Sequence, residues 1–292
     1  CEQVENPATA KGIVKREIVR TITPGTVIED TMLEEGSNNY LSAVTVIDNI
    51  AGICFTDAST GECYVTSLSG SNLCDKIIEE LSRFRPKELL VDQKFIKSNP
   101  VLDNFLNLNP QIVITKREKE SFDSTITESR ILSHFSVIST ENLGFESGSA
   151  VSAALGAVLE YLYETGVTGN ISVNRVEVYT DTQYMHLDMT AIRNLELTET
   201  MRSKSKKGSL LWVLDKTRTA MGKRLLRSWV TKPLINVTGI NLRLNAVDEL
   251  CSNTILRGEL AEKLSGITKI DVYFLNTLKN IVDMEAKLKE NK

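Results

Sequence analysis

Histidine is nearly missing from this sequence: His134 and His186 are the only two in 292 residues. There is therefore no histidine pair to hold a catalytic metal. The five cysteines, Cys1, Cys54, Cys63, Cys74 and Cys251, are odd in number and fit neither CxxC nor CxxxC spacing. That pattern argues against a structural zinc site. Most of them sit among apolar neighbours and read as small core residues of a reduced, cytoplasmic protein. No apolar run approaches the length that spans a bilayer. The opening residues CEQVENPATAKG lack the apolar stretch of a signal peptide. They also lack a starting Met, so the sequence reads as a piece of something longer. Net charge is −4, which is not the balance of a free nucleic-acid binder. What is present is 41% apolar and 25% charged residues, an ordinary globular composition with length enough for two domains.

Taken in order, residues 1–37 read as a connecting arm, with a turn at Pro24–Gly25. Residues 38–166 carry the pattern of an α/β domain. The stretches YLSAVTVID, IAGICFTDAS and ECYVTSL predict three strands of an antiparallel meander. NLCDKIIEELSRF predicts an amphipathic helix that Ser71 or Asn72 caps, with Leu73, Ile77, Ile78 and Leu81 on one side. Pro86 stops it, and KELLVD is a short buried strand. Pro100 opens a helix, PQIVIT is a strand, and STITESRILSHF and SAVSAALGAVLEYLYETG are helices, the last closed by Gly166. A meander leading into strand–helix units is an RNase H-like order. Residues 167–182 change texture and read as a linker. Residues 183–292 are predicted to be mostly helical.

The helical part holds three apolar groups at helical spacing: Leu195, Leu197, Leu210, Leu211, Val213 and Leu214; Leu225, Leu226, Trp229 and Val230; Leu242, Leu244, Val247 and Leu250. Such a stretch is expected to bury one side and leave the other wet. Trp212 and Trp229 accordingly read as core residues, at a cost of about 3–5 kcal/mol for truncation to Ala. The polar residues are basic: ten Lys or Arg between Arg202 and Lys232 against one acid, Asp215. RSKSKKGS at 202–209 reads as a flexible loop without aromatics for base stacking. Arg202, Lys204, Lys206 and Lys207 are candidate contacts for a phosphate backbone or for another domain. GKR at 222–224 lacks the spacing of a P-loop.

IRNLELTETMRSKSKKGSLLWVLDKTRTAMGKRLLRSWVTKPL closely resembles the start of the core domain of the MutS family of DNA mismatch-recognition ATPases. VKREIVRTITPGT resembles the end of that family's mismatch-binding domain, and FTDASTGE resembles a strand turn of its connector domain. The resemblance implies a connector domain of RNase H-like fold at 38–166, followed by part of a helical core and lever domain at 183–292. Near the end, GITKIDVYFLNTLKNIVDMEAKL departs from the family's Asp-Ile/Leu-Glu-Arg run, although its last helix resembles the next core helix. The resemblance further implies a DNA-clamping dimer, MutL as a partner, and ATP with Mg in an ATPase domain elsewhere. It implies no cofactor, metal or catalytic residue within these residues. The Phe-x-Glu mismatch wedge is not among them.

A second reading comes from the RNase H-like order alone: a metal-dependent nuclease with a basic helical domain. Such enzymes hold two Mg²⁺ ions on strand carboxylates. The candidates are Asp48, Asp57, Glu62 and Asp92, of which Asp48 and Asp57 are positioned to approach one another across a hairpin. Their neighbours, Asn49, Ser59 and Gly61, are those of ordinary turns. No acid is expected inside an apolar strand. His134 beside Ser136 lacks the context of a catalytic triad, and His186 reads as structural.

Overall fold

The computed structural model describes residues 2–3, 16–17, 20–29, 32–33, 36–166, 173–180, 184–185, 187, 189–217 and 219–267. His186, residues 167–172 and 181–182 of the linker, and the segment from 268 to 292 lie outside them, and so do the expectations placed there. The chain divides into two compact units. The first comprises residues 1–28, 39–70 and 86–177; the second comprises residues 29–38, 71–85 and 178–292.

The first unit opens with a small antiparallel ladder, β1 (Glu2–Gln3) to β2 (Arg16–Glu17). Its body is a sheet begun by β3 (Leu41–Ile47), β4 (Ile50–Asp57) and β5 (Glu62–Ser69), an antiparallel meander. The β3–β4 turn is two residues, Asp48 and Asn49, with φ of 49° and 62°. Positive φ at both centres is the hairpin geometry that Asp and Asn tolerate. The chain then forms α1 (Leu73–Phe84), which ends at Arg85 in the left-handed region with φ 49° before Pro86. Asn72, expected as its cap, makes no side-chain hydrogen bond there.

β6 (Glu88–Asp92) returns parallel to β3, and β7 (Val113–Arg117) lies parallel to β6. Between them come α2 (Gln93–Ser98) and α3 (Pro100–Leu108), the latter started by Pro100. The sheet order is β7-β6-β3-β4-β5, extended at the β5 edge by the two-residue β8 (Glu177–Val178). Three antiparallel strands with two parallel ones added beyond the first is the RNase H-like arrangement.

α4 (Ser124–Phe135) is capped by Asp123 and α5 (Ala150–Glu164) by Ser149. α5 is buried along nearly its whole length because it lies on β3 and β4. Gly52 and Gly156 permit this. A Cβ on Gly52 would stand 2.0 Å from the backbone carbonyl of Ala150, and one on Gly156 would stand 2.2 Å from Cβ of Thr127 on α4. Neither neighbour is a flexible side-chain end, so either substitution costs about 1–3 kcal/mol or more. Leu155, Leu159 and Leu162 are fully buried, and each contributes about 1.5–3 kcal/mol by leaving water. On β4 and β5, Cys54 and Cys63 are buried with sulfurs 3.8 Å apart.

The second unit holds α1 and the helices α6 (Met189–Asn194), α7 (Leu210–Leu214), α8 (Ala220–Thr231), α9 (Val237–Ser252) and α10 (Thr254–Ile267). Ser209, Thr219 and Asn236 cap α7, α8 and α9. Its interior includes Ile77, Leu81, Phe84, Tyr179, Ile192, Leu197 and Leu211. The Tyr179 hydroxyl donates to buried Glu80 at 2.5 Å, and the Lys232 ammonium stands 3.2 Å over the Phe84 ring.

One expectation about this unit fails. Of the six residues in the first apolar group only Leu197 and Leu211 are buried, and α8 and α9 bury no residue at all. Leu225, Leu242, Leu244 and Val247 are exposed, and Trp212 is 46% exposed. The periodicity is real, but among the described residues these faces are only partly covered. Trp229 is half-buried, with the Arg243 guanidinium 4.2 Å from its ring.

The two tryptophans should therefore behave differently. Iodide should quench Trp212 emission strongly and Trp229 weakly, as single-tryptophan variants can show. Trp212→Ala should cost well under the ~3 kcal/mol of a core tryptophan. Shielding of Trp212 from iodide in the 292-residue chain would refute the exposed placement.

Candidate nucleic-acid interface

The basic segment is more ordered than its composition suggests. Residues 200–209 fold back on themselves. The Thr200 N–H donates to the Ser205 carbonyl at 2.9 Å, and the Lys204 N–H donates to the Thr200 carbonyl at 3.0 Å. Lys204 and Gly208 take left-handed backbone, with φ of 49° and 99°. The Thr200 and Ser203 hydroxyls are 2.7 Å apart, and the Ser209 hydroxyl donates to the Lys206 carbonyl at 2.7 Å. The loop predicted to be flexible is a set of tight turns, because its serines and threonine supply local partners for the backbone.

The four candidate cations are not equivalent. The Lys206 ammonium donates to Oδ2 of Asp215 at 2.6 Å. Oδ1 of the same carboxylate accepts from the Thr217 N–H at 3.2 Å and the Thr217 hydroxyl at 2.5 Å. Asp215 is thus fully engaged, and the one acid of the segment neutralises Lys206. Arg202, Lys204 and Lys207 are exposed and make no ion pair among the described residues. Lys232 and Arg243 lie over aromatic rings in the same unit. Of the four candidates, Arg202, Lys204 and Lys207 are thus the open cations, carried within residues 202–207.

The carboxylates of the nuclease reading do not converge. Asp48 and Asp57 flank opposite ends of β4, so they stand roughly 25 Å apart by strand rise, which corrects the expectation that a hairpin joins them. Asp57 is buried, but its oxygens are taken: Oδ2 by the Asn39 N–H at 2.9 Å, Oδ1 by the Ser59 N–H at 2.9 Å and hydroxyl at 2.6 Å. Glu62 receives a 3.4 Å contact from the Tyr40 hydroxyl, and Asp92 caps α2 through the Lys94 N–H. Among the described residues no group of three or more His, Cys, Asp or Glu is placed to hold a metal. His134 is bound at both nitrogens, 2.7 Å from the Tyr163 hydroxyl and 2.8 Å from the Val173 carbonyl. Burial lowers its pKa, against the pull of the Val173 carbonyl.

The sequence reading did not single out Glu88. Glu88 opens β6 and is 1% exposed. It belongs to KELLVD, where the run Leu89–Leu90–Val91 was the signal: a glutamate abutting a wholly buried strand needs internal donors.

Residues 39–172 match MutS domain II. Residues 190–289 match MutS domain III and residues 1–31 match MutS domain I. The chain belongs to the MutS family. The DNA mismatch repair protein MutS of Alkaliphilus oremlandii is 41% identical over 274 residues, covering 93% of this chain and 31% of that protein. That of Lachnoclostridium phytofermentans is 41% identical over 271 residues, 93% of this chain and 29% of its own. That of Caldanaerobacter subterraneus is 39% identical over 294 residues, 99% and 33% respectively. The chain thus spans between 29% and 33% of the length of these relatives. In MutS terms the mixed sheet is the connector, and the helices from α6 onward belong to the core. Among the described residues no helix is long and apolar enough to cross a membrane.

The Lys206–Asp215 contact has a measurable signature. The Lys206 ammonium first, then the Thr217 hydroxyl, lower the Asp215 pKa to about 2. A depressed carboxylate stabilises the fold above its unfolded pKa, and that contribution is lost as pH falls through the folded value. An NMR titration of the Asp215 carboxyl should show a midpoint near 2, and Lys206→Ala should move it toward the ordinary aspartate value of 3.8. An unmoved midpoint would show that the ammonium does not hold the carboxylate.

Proposed function

We propose that these residues form the connector and core portion of a MutS protein, non-catalytic in themselves, that carries signals between the DNA-binding and ATPase parts and docks MutL. On this reading the whole protein is a cytoplasmic homodimer that clamps double-stranded DNA, with ATP and Mg bound in a separate ATPase domain. The joint match of domains II and III in one chain carries the reading. Of the four candidate cations, Arg202, Lys204 and Lys207, which make no ion pair among the described residues, favour contact with DNA phosphates, and Lys206 contributes less because Asp215 holds it. The exposed apolar faces of α7 to α9 favour contact with other parts of the same protein.

Binding of DNA by this chain should be backbone-directed, because the candidate contacts are cations on a segment, residues 200–209, that carries no aromatic side chain. In fluorescence anisotropy, matched and G·T duplexes should bind alike, with a log–log salt slope of about −0.9 per phosphate neutralised. Charge reversal at Lys204 and Lys207 should weaken both equally, and reversal at Lys206 should do less. The chain should hydrolyse neither ATP nor DNA and should be retained by immobilised MutL. A mismatch preference, failure to bind at low salt, or Mg²⁺-dependent cleavage abolished by Asp57→Ala would each overturn part of this reading.

The division into 1–37, 38–166, 167–182 and 183–292 is part of the same proposal. Limited proteolysis should cut within 167–182 and leave a folded piece ending near Gly166. First cuts inside β3 or β4, around Val44 or Phe55, would refute it.

A further inference from the structure

The MutS domain I match ends at residue 31 and the domain II match begins at residue 39, but the hydrogen bonds divide the chain elsewhere. Residues Thr21 to Thr26 lie within the domain I match. They form a β-turn, with the Thr26 N–H donating to the Thr23 carbonyl at 3.0 Å across Pro24 and Gly25. This turn is fastened to the connector at several points. The Thr21 N–H donates to the Thr165 carbonyl at the end of α5 at 2.9 Å. The Asn39 side-chain amide donates to the Pro24 carbonyl at 2.9 Å. Oε2 of Glu88 accepts from the Thr23 hydroxyl at 2.6 Å and from the Gly25 N–H at 2.9 Å.

The other oxygen of Glu88 faces inward. Oε1 accepts from the Thr115 hydroxyl on β7 at 2.5 Å and from the Tyr161 hydroxyl on α5 at 2.7 Å. A carboxylate only accepts, and here each oxygen takes two donors. One oxygen serves the turn and the other serves the sheet and helix. The fit is close: a Cβ on Gly25 would stand 2.9 Å from Cβ of Glu88 and 2.9 Å from Cδ1 of Leu41. Thr26 is wholly buried. The turn is part of the connector's interior, although its sequence belongs to the preceding domain's match.

We propose that Glu88 is a positioning residue that makes the last residues of domain I part of the connector body. Movement of the connector then carries Thr21–Thr26 with it, and any bending between the two domains takes place before Arg20. This rests on the hydrogen bonds and the family boundaries, not on the DNA or MutL reading.

Amide hydrogen exchange followed by NMR in the full 292-residue chain tests it. The N–H groups of Thr21, Gly25 and Thr26 should be protected to a degree comparable with those of β6. Glu88→Ala is the direct variant, but it takes the shared acceptor from four donors, two of them in buried hydrogen bonds, and is at risk of not folding. Gly25→Ala avoids that risk, because it disturbs the turn and leaves every donor of the sheet in place. It should speed exchange at Thr21 and Thr26 by about tenfold or more, while Leu89 to Val91 change by less than about twofold. Tyr161→Phe, which removes a donor from the inward oxygen only, should leave the turn protected. Unprotected turn amides in the unaltered chain would overturn the proposal. So would a Gly25→Ala chain that keeps them protected, or one that loosens turn and sheet together, since Glu88 would then be an ordinary core residue.

Discussion

Between β4 and α5 the main chains touch. A helix normally stands off a sheet by the depth of its side chains, about 10 Å from axis to sheet in most layered folds. Here Gly52 has no side chain, and the first turn of α5 fills the space a Cβ would need. The rest of the connector follows from that contact. α5 is buried on nearly all sides and so is built of Ala, Val and Leu. α4 comes in over Gly156, and Tyr161 is delivered deep enough to reach Glu88. At its outer end α5 returns to charge, where Arg117 is bound by Glu160 and Glu164.

The second unit is held differently. Its helices are begun by hydroxyl and amide caps at Ser209, Thr219 and Asn236, each worth about 1 kcal/mol. Their apolar sides stay largely open. Local hydrogen bonds shape this part more than burial does, as the turns at 200–209 illustrate. The same turns set the electrostatics: by tying Lys206 to Asp215, they separate one neutralised cation from three exposed ones.

Much of the connector was legible because its signals are local. α4 begins after Asp123 and ends at Phe135, α3 starts at Pro100, and the meander's turns fall at Asp48–Asn49 and Gly61. Each is fixed by a cap, a proline or a positive φ within a few residues. What was not legible depends on distant residues. Nothing near Glu88 announces that Thr23, Thr115 and Tyr161 will converge on it, from 65, 27 and 73 residues away. Leucine spacing in α8 and α9 states that a face is apolar, but not which element covers it. The opposed positions of Asp48 and Asp57 follow from counting residues along β4, which a view of the hairpin as a point of approach overlooks.

The paired sulfurs of Cys54 and Cys63 give the sheet a chemical property of its own. Burial pushes the Cys54 thiol well above its usual pKa, and the Thr56 hydroxyl sits close to both sulfurs. Thiols react through their thiolates and only where a reagent can reach them, so neither reacts while β4 and β5 stay together. Cys251, exposed on α9, has no such protection. Toward an alkylating reagent these three thiols therefore differ: Cys251 marks the surface at once, while Cys54 and Cys63 keep time, consumed only as fast as the meander opens.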